Sequence, residues 1–144
     1  MARLSTALCV LGSALFGCSD PDAAILARLD GAERSRFEAG RRVALPCWTC
    51  HDLAGDVKKV GPSLVGLYGR RSGVGPNGYV GSDAMRAASI VWDDRMLGAF
   101  LSNPGAFVPG NRMVSPGVQD ARALSDLLFY LRHVTEPGAR ELRE

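Results

Sequence analysis

The feature that most constrains this chain is the C-x-x-C-H motif at residues 47–51, CWTCH. The chain has four cysteines and two histidines. Cys9 and Cys18 lie in or at the end of an N-terminal leader, so Cys47 and Cys50 are the thiols left for a folded domain. Such a pair has three explanations, namely a zinc site, a thioredoxin-like redox motif, or covalent attachment of haem.

The residue types around the motif favour haem. A structural zinc site needs four ligands, and Cys47, Cys50, His51 and His133 would be the set, but His51 adjoins Cys50 instead of belonging to a spaced second pair. A thioredoxin-like motif follows a strand in a βαβ pattern, which this sequence does not show. In the haem explanation each thiol adds to a vinyl group, and His51 is carried beneath the iron as an axial ligand.

The first 17 residues have the pattern of a signal peptide, with one Arg near the start and then an apolar stretch. The stretch is too short to cross a bilayer as a helix. It ends in LFGC, residues 15–18, which resembles a bacterial lipobox, where cleavage precedes the cysteine and its thiol is acylated. We therefore expect lipidation at Cys18, a tether over residues 18–34 and a periplasmic location on a membrane surface. The alternative is ordinary cleavage nearby, which leaves Cys18 unmodified.

Composition limits the rest. A chain of 144 residues suits one domain. A formal net charge of +2 is too small to suggest nucleic-acid binding, which needs a strongly basic face.

A haem held by one histidine needs a ligand on its other face, and Met113 is the best candidate. It lies in the turn-rich segment 109–113, whose Pro and Gly disfavour regular structure. Met85 and Met96 lie in or beside helical patterns, where Met more often fills a core. His133 lies between apolar positions near the end of a helical pattern, so we interpret it as a boundary histidine.

From about residue 37 to 136 the chain resembles class I cytochrome c, particularly its mitochondrial-like branch. Five segments carry the resemblance in the right order: CWTCH, GPSLVGLYGRRSG (61–73), IVWDD (90–94), SNPGAFVPGNRM (102–113) and DLLFYL (126–131). The resemblance implies an all-α fold of short helices wrapped around one covalently bound haem. We place this domain at residues 35–137, followed by a tail over 138–144.

The helices expected within it are local predictions. The first runs from about Asp30 to Leu45. Another opens at residues 92–94 and runs through Leu101, and the last covers 121–134. The resemblance implies that the first and last helices cross at a small residue. We expect Gly40 or Ala39 to lie against Leu127 and Tyr130.

The resemblance also assigns roles to individual residues. The carbonyl of Pro62 accepts a hydrogen bond from His51, and Arg70 and Trp92 hold a haem propionate. Tyr79 is a further candidate for that role, with simple packing as its alternative. Phe100 stands where the family often has a tyrosine whose hydroxyl reaches the methionine sulfur, and Asn111 stands where the family often has a threonine.

The function implied is one-electron transfer by a monohaem electron carrier, not an enzyme, acting with redox protein partners as a monomer. Lys58, Lys59 and Arg112 are the few basic residues where the family has a lysine ring, so an apolar docking patch is the alternative to charge steering. Two other functions stay open: a dedicated haem subunit of a periplasmic dehydrogenase complex, and a haem sensor or enzyme in which Met113 is labile.

Overall fold

The structure, a computed structural model, describes residues 20–53, 55 and 57–139. The predicted signal peptide over 1–17, Cys18 and residues 140–144 of the predicted tail lie outside the described residues. The α-helices of the described part are α1 (Ala23–Leu26), α2 (Gly31–Ala44), α3 (Asp83–Ala88), α4 (Asp94–Ser102), α5 (Pro104–Phe107) and α6 (Ala121–Thr135). Short 3₁₀ turns cover Leu45–Thr49 and Pro76–Gly78, and β1 (Val74–Gly75) pairs antiparallel with β2 (Tyr79–Val80).

Side-chain caps explain where the main helices begin. Asp30 accepts a hydrogen bond from the Glu33 amide at 2.8 Å, and the Glu33 carboxylate accepts one from the Asp30 amide at 3.0 Å. This capping box satisfies two backbone donors that a helix start leaves unpaired. Asp93 caps α4 and Asp120 caps α6. Each side chain accepts one hydrogen bond, from the amide of Met96 and of Ala123 respectively. The negative charge of an aspartate in this position also interacts favourably with the positive end of the helix dipole.

Helices α2 and α6 make the most extensive contact of the fold, and they cross at Gly40. A Cβ at Gly40 would lie 2.0 Å from the Asp126 carbonyl oxygen and 2.7 Å from the Tyr130 Cβ. Glycine is therefore required for the two backbones to approach so closely. This geometry agrees with the predicted crossing, with Asp126 as a contact the prediction did not include.

The apolar side chains form two clusters. The first lies between α2 and α6 around Phe37, Leu127 and Tyr130, and the second lies around Trp92 and Phe100. Leu64, in the loop after the C-x-x-C-H motif, packs against both clusters. The all-α prediction is confirmed, since the only strands in the described part form one hairpin of two residues each.

The predicted tether over 18–34 is wrong for its described part. Residues 20–29 pack along α2, with Ile25 only 4% exposed and Asp22 fully buried. The packing has a simple cause, since Ile25, Leu26 and Leu29 supply apolar contacts and the acidic groups of this segment meet Arg41. At the other end Ala139 is buried, so the packed domain extends into the first residues of the predicted tail.

Among the described helices, none is both long enough and apolar enough to span a bilayer.

Candidate haem site

The C-x-x-C-H motif lies on one tight turn that continues α2. Pro46 lies in the first part of the 3₁₀ turn, and the amides of Cys50 and His51 both donate to the Cys47 carbonyl, at 3.2 and 2.9 Å. Cys47 is half-buried, and burial raises the pKa of its thiol, whereas Cys50 is exposed. The turn thus presents two thiols and an imidazole from five consecutive residues, as attachment to a haem edge requires.

His51 is oriented by the loop that follows it. Its Nδ1 lies 2.8 Å from the Pro62 carbonyl oxygen. Because Nδ1 donates there, Nε2 carries the free lone pair and is the nitrogen available to iron. Burial lowers the pKa of His51 and so favours the neutral imidazole, the form that coordinates metals.

Gly61 makes this orientation sterically feasible. Its amide donates to the Cys50 carbonyl at 2.8 Å, which brings the loop back over the motif. A Cβ at this position would lie 2.4–2.9 Å from three atoms of the His51 ring. The ring therefore occupies the space that any side chain here would fill.

Lys59 is a residue whose role the sequence did not reveal. Its Nζ donates to the carbonyl oxygens of Trp48 and His51, the latter at 3.2 Å. From the sequence alone, Lys59 was one of the few basic residues expected on a possible charged docking face. The structure shows instead that it caps the carbonyls of the haem-binding turn. The folded loop brings the ammonium group to these carbonyls, and no local sequence pattern indicates that contact.

Arg70 and Trp92, the two predicted propionate residues, are brought together by backbone pairing. The Trp92 amide donates to the Arg70 carbonyl at 3.0 Å, and Trp92 is 6% exposed. The Arg70 Nη1 and Nη2 atoms donate to the carbonyls of Val65 and Ser63 at 2.9 and 3.0 Å. Its Nε is buried and has no hydrogen-bond partner among the described residues. A buried, always charged donor of this kind fits a carboxylate such as a haem propionate.

Tyr79 lies in the hairpin, at β2, and lines a groove together with Pro62 and Ser63. The structure therefore brings Tyr79 to the loop that orients His51. The same position satisfies both the packing and the propionate interpretation, and its role stays a prediction.

Met113 lies in an irregular loop after α5 and packs against the second cluster. One side chain fixes this loop. Asn111 donates through Nδ2 to the carbonyls of Pro104 and Val108, at 2.7 and 2.8 Å, and its Oδ1 accepts from the Met113 amide at 2.9 Å. The sequence identified Asn111 as a departure from the family pattern but not as the residue that positions Met113.

The other candidate ligands lie on helices, whereas Met113 lies in a loop. Met85 and Met96 lie on α3 and α4 and also pack against the second cluster. His133 is half-buried on α6, with Nδ1 2.8 Å from the Phe129 carbonyl and its ring against Phe129. Among residues 20–53, 55 and 57–139 no three His, Cys, Asp or Glu side chains are close enough to share a metal ion, so the zinc set with His133 does not assemble.

A thiol pair on one turn, an imidazole with Nε2 available and a buried guanidinium N–H together fit one haem, and they define a c-type haem protein. Cytochrome c2 of Blastochloris viridis is 35% identical over 104 residues, which cover 72% of this chain and 81% of that protein. Cytochrome c of Euglena viridis is 41% identical over 83 residues, covering 58% and 80%. No family model matches the chain.

Solved structures give the same result. Cytochrome cH from Methylobacterium extorquens superposes with a TM-score of 0.62 at 36% identity, covering 67% of this chain and 96% of that one. The chain therefore belongs to the class I cytochromes c. It is an electron-transfer protein, not an enzyme, and it carries one haem c bound covalently through Cys47 and Cys50.

Proposed function

We propose that this cytochrome is an extracytoplasmic, lipid-anchored electron carrier whose haem iron is held by His51 and Met113. The observation that carries the ligand assignment is a pair of contacts. The Pro62 carbonyl holds His51 by Nδ1, and Asn111 holds the Met113 amide in the loop after α5. Each candidate ligand is thus fixed by one partner that leaves its metal-binding atom free.

When bound, the haem supplies a one-electron couple between ferrous and ferric iron. The chain's own residues set the conditions for that couple. A His/Met pair favours the ferrous state and raises the reduction potential. The Arg70 guanidinium offers a buried positive charge for a propionate, which limits the cost of burying that carboxylate. If His51 and Met113 both hold the iron, they would leave no open site for a small ligand.

The location is supported by the sequence of the leader and by Cys18 in its lipobox-like ending. A thiol pair that must be joined to haem outside the cytoplasm agrees with that route. The bacterial lipoprotein modification adds several acyl chains, which anchor stably where a single chain is marginal. Electron donors and acceptors are then redox proteins reached at a membrane surface.

An anaerobic redox titration followed by carbon monoxide exposure tests the electron-carrier function. We expect a one-electron titration and a ferrous protein that binds carbon monoxide slowly, with Met113→Ala as the control that binds it rapidly. Rapid binding by the wild type would favour the sensor or enzyme function. Co-purification with a large catalytic subunit would favour the dehydrogenase subunit instead of a free carrier.

A further inference from the structure

Residues 20–29, here called the N-terminal strap, run antiparallel to α2 and are fixed to it at both ends. Near the carboxyl end of α2, the Arg41 Nη1 donates to the Asp20 carboxylate at 2.8 and 2.9 Å and to Asp22 at 3.4 Å. Further back, the Arg34 Nη2 donates to the Leu26 carbonyl at 3.1 Å. The strap then reaches Asp30, which caps the start of α2.

The strap is also joined to the core. Ile25 is 4% exposed and belongs to the first cluster, with Leu26 and Leu29 packed beside it. Asp22 is fully buried, and its carboxylate faces Arg41. A segment with buried apolar groups and a buried carboxylate paired to a half-buried arginine moves with the domain it is packed on, so it does not act as a flexible spacer.

We propose that the lipid anchor is a rigid mount, in which the carboxyl end of α2 is held directly against the bilayer. The inference rests on the proposed acylation of Cys18. Only Ser19 separates Cys18 from Asp20, and two residues span at most about 7 Å even when fully extended. Asp20 is paired with Arg41 in the last turn of α2, so the described chain begins at that turn, two residues from the proposed acylation point.

The surface at this end of α2 has the chemistry of a membrane-facing site. Leu45 is an exposed apolar side chain, 59% accessible, and Pro46 beside it is exposed as well. Arg42 is exposed one turn earlier and suits anionic headgroups. Glu38, the exposed acid nearest along the helix, lies a further turn away from the mount.

The mount also places the haem. Cys47 follows Arg41 by six residues along a helical path, which is about 10 Å at the rise of α- and 3₁₀-helices. The haem-bearing turn is therefore held near the membrane surface in a fixed orientation. A carrier mounted in this way exchanges electrons with a redox protein embedded in the same membrane, whose exposed site lies at the bilayer surface.

Energy transfer from a headgroup fluorophore to the haem tests the mount. The lipidated holoprotein is reconstituted into phosphatidylethanolamine/phosphatidylglycerol vesicles, and acylation is checked by the mass of the N-terminal peptide. A Gly/Ser insertion of about twelve residues between Ser19 and Asp20 adds roughly 20 Å of mean reach, so quenching should fall clearly. The same linker added after Glu144 is the matched control and should leave quenching unchanged.

Spin labels test the orientation. Arg42→Cys and Ala32→Cys place labels at two exposed positions of α2 that are about 15 Å apart along the helix axis. The label at 42 should be more accessible to oxygen in the bilayer and less accessible to a nickel chelate in water. Equal accessibility at both positions, or quenching that ignores the insertion in an acylated protein, would overturn the mount alone. An N-terminal peptide without acyl mass would overturn the mount together with the proposed anchor.

Discussion

Replacing Asn111 with alanine should detach Met113 from the haem far more often without unfolding the domain. The Asn111 side chain makes three hydrogen bonds of 2.7–2.9 Å, two to loop carbonyls and one from the Met113 amide. At about 0.5–1.5 kcal/mol net for each bond, their loss costs the closed loop roughly 2–4 kcal/mol. Since about 1.4 kcal/mol is tenfold, the methionine-off state should become about 30- to 1000-fold more populated.

Stopped-flow binding of carbon monoxide to the ferrous protein measures this population, because an external ligand enters only when Met113 has left. Asn103→Ala is the matched control at the other end of α5, where the Asn103 Oδ1 accepts a hydrogen bond from the Ala106 amide as the cap of that helix. That variant should lose about 1 kcal/mol of stability and bind carbon monoxide slowly. The reasoning is refuted if Asn111→Ala binds no faster than the wild type, or no faster than Asn103→Ala.

Three other substitutions test separate parts of the structure. Gly40→Ala should lower the free energy of unfolding by about 1–3 kcal/mol because its Cβ would overlap the α6 backbone. Gly31→Ala, which meets open space, should not lower it, and equal denaturant midpoints for the two variants would contradict the crossing. Arg70→Lys should cost about 1–3 kcal/mol by breaking the guanidinium fork to two carbonyls, whereas exposed Arg71→Lys should leave thermal unfolding unaltered; similar losses in both would count against the buried fork. Phe100→Tyr should raise the reduction potential by about 20–40 mV, if a hydroxyl donating to the methionine sulfur disfavours ferric iron by about 0.5–1 kcal/mol; potentiometry that finds no shift would reject that contact.

Much of the helical framework was predictable because its signals are local. The Asp30 and Glu33 capping box, the Pro46 that ends α2 and the apolar spacing along α6 are all short-range patterns. The C-x-x-C-H motif is equally local, so the residues of the haem-bearing turn could be predicted individually from the sequence. The Gly40 crossing needed the family resemblance, since a glycine inside a helix does not by itself name the helix that packs against it.

The features that the sequence missed depend on side-chain hydrogen bonds and ion pairs that no short motif predicts. The strap was predicted to be a tether because it lies between the proposed lipidation site and the first long helix, and the pairing of Asp20 and Asp22 with Arg41 on α2 is visible only in the structure. From the sequence, Lys59 was expected to be a solvent-exposed charge, whereas in the folded loop its ammonium group donates a hydrogen bond to the Trp48 carbonyl. Asn111 was noted only as a departure from the family, because its three partners become neighbours when the loop closes.

The optical spectrum of the protein made in a haem-maturing periplasm tests the central claim most directly. With His51 and Met113 as ligands, the reduced protein should give sharp c-type bands, and the oxidised protein should give the weak far-red band of iron–methionine ligation. That far-red band should vanish in Met113→Ala and persist in Met96→Ala, whose sulfur lies on α4. A far-red band that survives in Met113→Ala, or a protein without covalent haem, would contradict the account.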